Sequence, residues 1–193
     1  MTTPKDDHHC CDHSQSSSVT QTLDELAFER GVWSAALNGE TAKVIKFIEG
    51  GGDPDTVDNA GYTALHYSSR NGHVEVVSVL LQNRANPNCT TRSGGVTPLH
   101  RAAYSGHTDI VKLLLKAKAS PLLCDEDAKS PLHKSAERGH MEICKLLVAA
   151  DRTLVTLKDK RAPVVPLQDA RRDVTNGIVR WANSGRDWSV NTS

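Results

Sequence analysis

Apolar residues along this chain fall in short clusters, and polar stretches separate them at a nearly constant interval. The segment Val74 to Gln82 places Val76, Val77, Leu80 and Leu81 on one face of a helix, and pairs at Leu80-Leu81, Leu114-Leu115 and Leu147-Val148 close three successive units. Each pair is preceded by a helix start. Thr63-Ala64-Leu65-His66 recurs as Thr97-Pro98-Leu99-His100 and as Ser130-Pro131-Leu132-His133. A Thr or Ser hydroxyl caps free N–H groups, and Pro suits the first helical position. Gly72, Gly106 and Gly139 then end the first helix of each unit. The polar stretch Arg84-Ala85-Asn86-Pro87-Asn88 has to turn and extend before the next start.

The pattern therefore predicts units of two short antiparallel helices joined by extended fingers. Helices this short are marginal alone in water, so each unit needs neighbours to bury its apolar face. The result is a one-dimensional stack.

The period, the Thr-Pro-Leu-His start, the Gly-His between the helices and the Arg84–Asn88 loop resemble ankyrin repeats. That resemblance implies an all-α solenoid of helix-turn-helix units with β-hairpin-like fingers. Its expected divisions are a disordered tail over 1–18, a capping helix over 19–30 and a degenerate first repeat over 31–57. Full repeats follow over 58–90, 91–124 and 125–157, then a degenerate capping repeat over 158–183 and a tail over 184–193. In the first unit Val32-Trp33 stands where the others have Leu-His. Thr22-Leu23-Asp24-Glu25 reads as a capping box ahead of it.

Composition sharpens this picture. Only 4% of residues are aromatic, so the core is aliphatic. The 23 Lys and Arg balance the 23 Asp and Glu, which removes the usual electrostatic argument for nucleic-acid binding. No apolar run approaches the ~18 residues of a membrane span, and Met1 to Ser18 contains no apolar stretch for a signal peptide. Five cysteines with no CxxC pair read as reduced thiols in the cytoplasm or nucleus.

Nine histidines suggest chemistry, but six of them (His66, His73, His100, His107, His133 and His140) occupy two fixed repeat positions. The family resemblance gives the first of each pair a hydrogen bond to the neighbouring finger's backbone. It gives the second a role in supporting the turn between helices. His8, His9, Cys10, Cys11 and His13 form the one metal-like cluster, with ligand types suited to zinc or copper but poor spacing. The reading is a disordered tail without a dedicated metal. The sequence has no GxSxG, GxxxxGK[ST], HExxH or GxGxxG motif, and no calcium loop follows Asp53, Asp55 and Asp58. The expectation is a non-catalytic chain with no cofactor.

An ankyrin stack presents its finger tips and the outward side of its first helices. One column of that face carries Tyr67, Arg101 and Lys134, and a second carries Arg70, Tyr104 and Glu137; Tyr62 and Arg92 lie at the tips. Tyr and Arg are the residues enriched at binding hot spots. These positions are the candidate surface for a protein partner, bound by a monomeric adaptor or scaffold. The family resemblance also marks Asn88 as a position for asparaginyl hydroxylation. The competing class is a metal-handling or nucleic-acid-associated factor, using the His/Cys tail and the basic residues Lys158, Lys160, Arg161, Arg171 and Arg172. Asp159, Asp169 and Asp173 are interleaved with those bases. Two local departures complete the reading. The third finger has an extra residue and two glycines, making it longer and more mobile. Ala128 stands where the fourth finger expects Gly, as Ala162 does in the last, so the C-terminal end is expected to fray first.

Overall fold

The computed structural model describes residues 31–157 and Lys160. The expected 1–18 tail, the 19–30 capping helix, Ala162 and almost all of 158–193 lie outside these residues.

Within them the chain forms eight α-helices in four pairs: α1 (Val32–Asn38) with α2 (Thr41–Glu49), α3 (Ala64–Asn71) with α4 (Val74–Gln82), α5 (Pro98–Ser105) with α6 (Thr108–Lys116), and α7 (Pro131–Arg138) with α8 (Met141–Ala150). A 3-10 turn, Arg152–Thr156, closes the described region. The first helices α1, α3, α5 and α7 pack on one another in a row, and the second helices form a parallel row behind them. Leu65, Leu99 and Leu132 from the first row, with Val77, Leu80, Ile110, Leu114, Ile143 and Leu147 from the second, are fully buried between the rows. This is the predicted solenoid, an aliphatic seam with no single centre. Among the described residues no helix is long and apolar enough to cross a membrane.

The two repeat histidines tie the units together in opposite directions. His66 Nε2 lies 2.9 Å from the Val96 carbonyl of the following finger, and His100 Nε2 lies 3.0 Å from that of Lys129. Their Nδ1 atoms accept from the backbone N–H of Thr63 and Thr97, both at 3.2 Å. A backbone N–H can only donate, so Nδ1 is bare and the proton sits on Nε2, which donates to the carbonyl. Both rings are therefore neutral, and burial pushes their pKa down to about 4. The stretch that would receive His133 lies outside the described residues.

The Gly-His histidines reach backwards. His73 Nε2 bonds the Leu37 carbonyl at 2.8 Å, His107 that of Arg70 at 3.0 Å, and His140 that of Tyr104 at 3.1 Å. The family expectation gave them the turn between helices. The structure shows them closing the open C-terminal end of the preceding unit's first helix. It also explains the glycine beside them. Gly72 has φ 85°, and a Cβ there would stand 2.7 Å from the His107 ring. Only glycine permits both the left-handed cap and that approach.

In the first unit Trp33, in the histidine's place, donates its indole N–H to the Thr56 carbonyl at 3.0 Å. The longer ring reaches a carbonyl just before the next finger, so the forward tie survives the substitution.

The fingers are five-residue turns at Asp58–Tyr62 and Asp125–Lys129, and a six-residue turn at Thr91–Val96, as the extra residue predicts. They are linked edge to edge: Arg92 N donates to Ala60 O, Glu126 N to Gly94 O, and Lys160 N to Asp127 O. The longer finger is thus bonded through its backbone to both neighbours.

Candidate functional site

Each finger begins with a residue that folds the turn, and in two units that residue also bonds the first helix of its own unit. In the second unit this is Asp58. Its Oδ1 accepts from Ala60 N at 3.0 Å and Tyr62 N at 2.8 Å, and its Oδ2 accepts from the Tyr67 hydroxyl at 2.6 Å. Burial and then this carboxylate hold the Tyr67 phenol well above its ordinary pKa, so it stays a donor. Tyr62 packs tilted against Tyr67, ring centres 5.5 Å apart, and edge-on to His66 at 5.6 Å. From the next unit the Arg101 guanidinium lies over the Tyr62 ring, 5.1 Å from its centre, and donates from Nη2 to the Tyr62 hydroxyl. Two units thus build one aromatic and basic cluster.

The fourth unit repeats the frame with different chemistry. Asp125 Oδ1 accepts from Asp127 N and Lys129 N, and Oδ2 pairs with Lys134 Nζ at 2.7 Å. Burial pushes the Asp125 carboxyl up, but Lys134 and the Lys129 N–H outweigh it and hold the pKa below the ordinary value. Lys129 pairs with Glu137. Here Lys129 and Lys134 each meet an anion.

The third unit has no acid at the corresponding position. Thr91 folds that turn, accepting from Val96 N at 3.1 Å and donating to Ser93 O at 2.8 Å. A hydroxyl performs the turn but cannot neutralise a cation. Among the described residues Arg101 has no carboxylate within ion-pair distance, and its Nε is shielded from solvent without a hydrogen-bond partner.

The remaining sequence candidates are dispersed around this cluster. Arg70 is exposed at the end of α3, where its carbonyl receives His107. Tyr104, 43% exposed, lies under Arg138, whose guanidinium is 4.8 Å from its ring centre. Arg92 is exposed at the third tip. Its aliphatic stem lies against Gly61. The structure therefore joins Tyr62, Tyr67 and Arg101, while Tyr104 is paired with Arg138, which sequence reasoning passed over. Asp58 was also missed as a member of the face. Its spacing of two periods from Asp125 was the available signal.

Other candidates resolve simply. Asn88 is committed at both ends of its amide, accepting from Ser120 N at 2.7 Å and donating to Lys118 O at 3.3 Å. Cys89 is half-buried near Asp55, and burial, then that carboxylate, pushes its thiol up to about 11. Cys124 is exposed, with its Sγ toward the Leu122 carbonyl. Cys144 is buried in the core, 3.1 Å from the Ser135 hydroxyl. Among the described residues no group of three or more His, Cys, Asp or Glu is placed to hold a metal ion. The cluster His8, His9, Cys10, Cys11 and His13 lies outside them.

The stapled helix pairs, the fingers and the row of first helices define a repeat protein of the ankyrin class. Family profiles agree: one for ankyrin repeats in three copies matches residues 32–125, and one for a single ankyrin repeat matches 127–160. The chain belongs to the ankyrin repeat family, whose members are generally protein–protein interaction modules. Among curated relatives, it is similar to ankyrin repeat domain-containing protein 39 of Homo sapiens, 52% identical over 44% of this chain and 48% of that protein. It is also similar to the Bos taurus protein of the same name, 58% identical over 36% of this chain and 39% of that one. An ankyrin repeat-containing protein of Schizosaccharomyces pombe is 32% identical over 33% of this chain and 30% of its own length. The aligned stretches thus cover half or less of these relatives.

Proposed function

We propose that this chain is a non-catalytic adaptor or scaffold, acting as a monomer in the cytoplasm or nucleus, which holds a partner protein against the first-helix face and finger tips. The observation that carries this reading is the joined Tyr62–Tyr67–Arg101 cluster, flanked by exposed Arg70, Arg92 and Tyr104. Aromatic rings and a guanidinium fixed by their own contacts lose little freedom on binding, so contact there is not offset by ordering. The test is proximity labelling in cells with the full chain. A variant carrying Tyr67, Arg70, Arg101 and Tyr104 all changed to Ala is compared with a control of exposed second-helix changes, Lys46→Ala and Lys112→Ala. The face variant should lose a defined set of neighbours that wild type and control share. Equal labelling by all three, with the folded spectrum retained, overturns the reading.

A further inference from the structure

We infer that Arg101 and Tyr62 form a receptor for one carboxylate side chain, an Asp or Glu on an extended acidic peptide of the partner. The inference rests on the protein-binding reading above and specifies its chemistry.

Charge complementarity points to the ligand. Position by position the face offers three finger residues (Asp58, Thr91 and Asp125) to three helix residues (Tyr67, Arg101 and Lys134). Lys134 has Asp125 and Tyr67 has Asp58. Arg101 shares its unit with Thr91, where the acid is missing. A half-buried guanidinium carries five N–H donors, and among the described residues one reaches the Tyr62 hydroxyl while Nε meets nothing. A cation held partly out of water without an anion is the costly arrangement, and a carboxylate supplied from outside relieves it.

Tyr62 adds the second contact. Its oxygen accepts from Arg101, which leaves its own hydrogen to donate outward. A carboxylate can therefore accept from the guanidinium through one oxygen and from the phenol through the other. His66 and His100 contribute no competing positive charge, because their geometry fixes them neutral. Lys129 is paired with Glu137, so the basic side chain at the cluster's centre is single. With Asp58 two residues before Ala60 and bonded to Tyr67, local charge suits a singly charged carboxylate better than a phosphate dianion.

The experiment is selection of a random peptide display library on the full chain, followed by affinity measurement with the selected synthetic peptides. The expected result is enrichment of Asp or Glu at one fixed position. Changing that residue to Asn or Gln should weaken binding at least tenfold, Arg101→Gln should do the same, and the two together should cost no more than either alone. Tyr62→Phe, which keeps the ring, should cost about threefold and carries the test should Arg101→Gln not fold. Selected peptides with no acidic position, or an acid whose removal still weakens binding to the Arg101→Gln protein, overturn the carboxylate receptor while leaving the binding face intact. A phosphoserine at that position outbinding Glu by tenfold or more also overturns it. Failure to select any peptide that competes at this face overturns both readings.

Discussion

The second-to-third and the fourth units share one backbone frame and differ in how they treat charge. In the fourth, Asp125 neutralises Lys134 and Glu137 neutralises Lys129, so the face is closed electrostatically. At the second-to-third boundary, Asp58 is used by a tyrosine and by backbone N–H groups, Thr91 offers no charge, and Arg101 rests on the Tyr62 ring. The repeat thus separates two tasks. Folding the finger needs only an oxygen that accepts a backbone N–H, which Asp and Thr both supply. Neutralising the helix cation needs a carboxylate. Where the finger has the first without the second, as at Thr91, the surface carries a cation with no carboxylate beside it among the described residues, and stability is provided from elsewhere.

That stability comes from the histidine ties, which run through both regions, and here the largest effect is expected. His66 and His100 titrate at 6.5 when unfolded and at about 4 when folded. A lowered histidine pKa means the unfolded state binds more protons between those values. The contribution is therefore complete above pH 6.5 and is lost as pH falls towards 4, by on the order of 3 kcal/mol per histidine. Chemical denaturation at pH 7.5, 6, 5 and 4.5 should show a falling midpoint. The double change His66→Asn, His100→Asn should flatten that slope while lowering stability at neutral pH. Because one tie joins the second unit to the third and the other joins the third to the fourth, both regions should weaken over the same pH range; loss of the fourth unit alone would break the comparison's premise of a common scaffold.

Next in size is the pair that closes the fourth unit. Asp125→Asn keeps an oxygen for Asp127 N and Lys129 N but strands Lys134, whose side chain is 20% exposed. Discounting for that exposure, the loss should be about 2 kcal/mol. Asp58→Asn, by contrast, keeps its amide oxygen for Ala60 N and Tyr62 N and turns its NH2 to the Tyr67 hydroxyl, which can accept, and should cost about 1 kcal/mol. Thermal melts of the two variants rank the regions. A larger loss at Asp58 would show that the open region depends on its carboxylate more than the geometry indicates.

A third change converts one region into the other. Thr91→Asp installs the missing acid ten residues before Arg101, against nine in the Asp58–Tyr67 and Asp125–Lys134 pairs, the difference being the third finger's extra residue. The new carboxylate can take over the Val96 N–H and reach the guanidinium, with a gain of about 1 kcal/mol in melts. It should also remove the acid preference of peptides selected on this face. A stabilised variant that keeps this preference would separate Arg101 from ligand recognition.

Much of this was legible in the sequence, and the limits have physical causes. Helix starts, Gly-His breaks and buried leucines are local, periodic signals, and they gave the helix pairs, with Val74–Gln82 formed as read. The six repeat histidines were recognised as structural, but the Gly-His ring's backward reach depends on how units stack, which spacing does not encode. Arg84 and Lys118 adopt φ 66° and 65° in the loop where the first unit has Gly51, a left-handed position that no residue type announced. On the face, Tyr67 and Arg101 were named from a helix column and Tyr62 from a finger tip. Their joining was not, because it turns on side-chain direction and on an acid that is absent from Thr91's position.

The smallest effect concerns the fourth finger's Ala128, which adopts φ 59°, as its place in the glycine position required. Its counterpart in the second finger is Gly61, at φ 83°. There a Cβ would stand 2.6 Å from the Arg92 backbone nitrogen, so Gly61→Ala combines strain with a backbone clash and should cost several times more than strain alone, about 2–3 kcal/mol. Ala128→Gly relieves only the strain, about 1 kcal/mol, and part of that is offset because glycine gains freedom in the unfolded chain. The net should be a stabilisation of at most about 0.5 kcal/mol. Hydrogen exchange at the amides of Ala128 and Lys129, which donate to Asp125, reads it locally. Slower exchange there, with unchanged rates at Gly61 and Tyr62, places the strain in the fourth finger. Unchanged or faster exchange would mean that the left-handed alanine costs this end of the stack nothing, and that its expected fraying must have another cause.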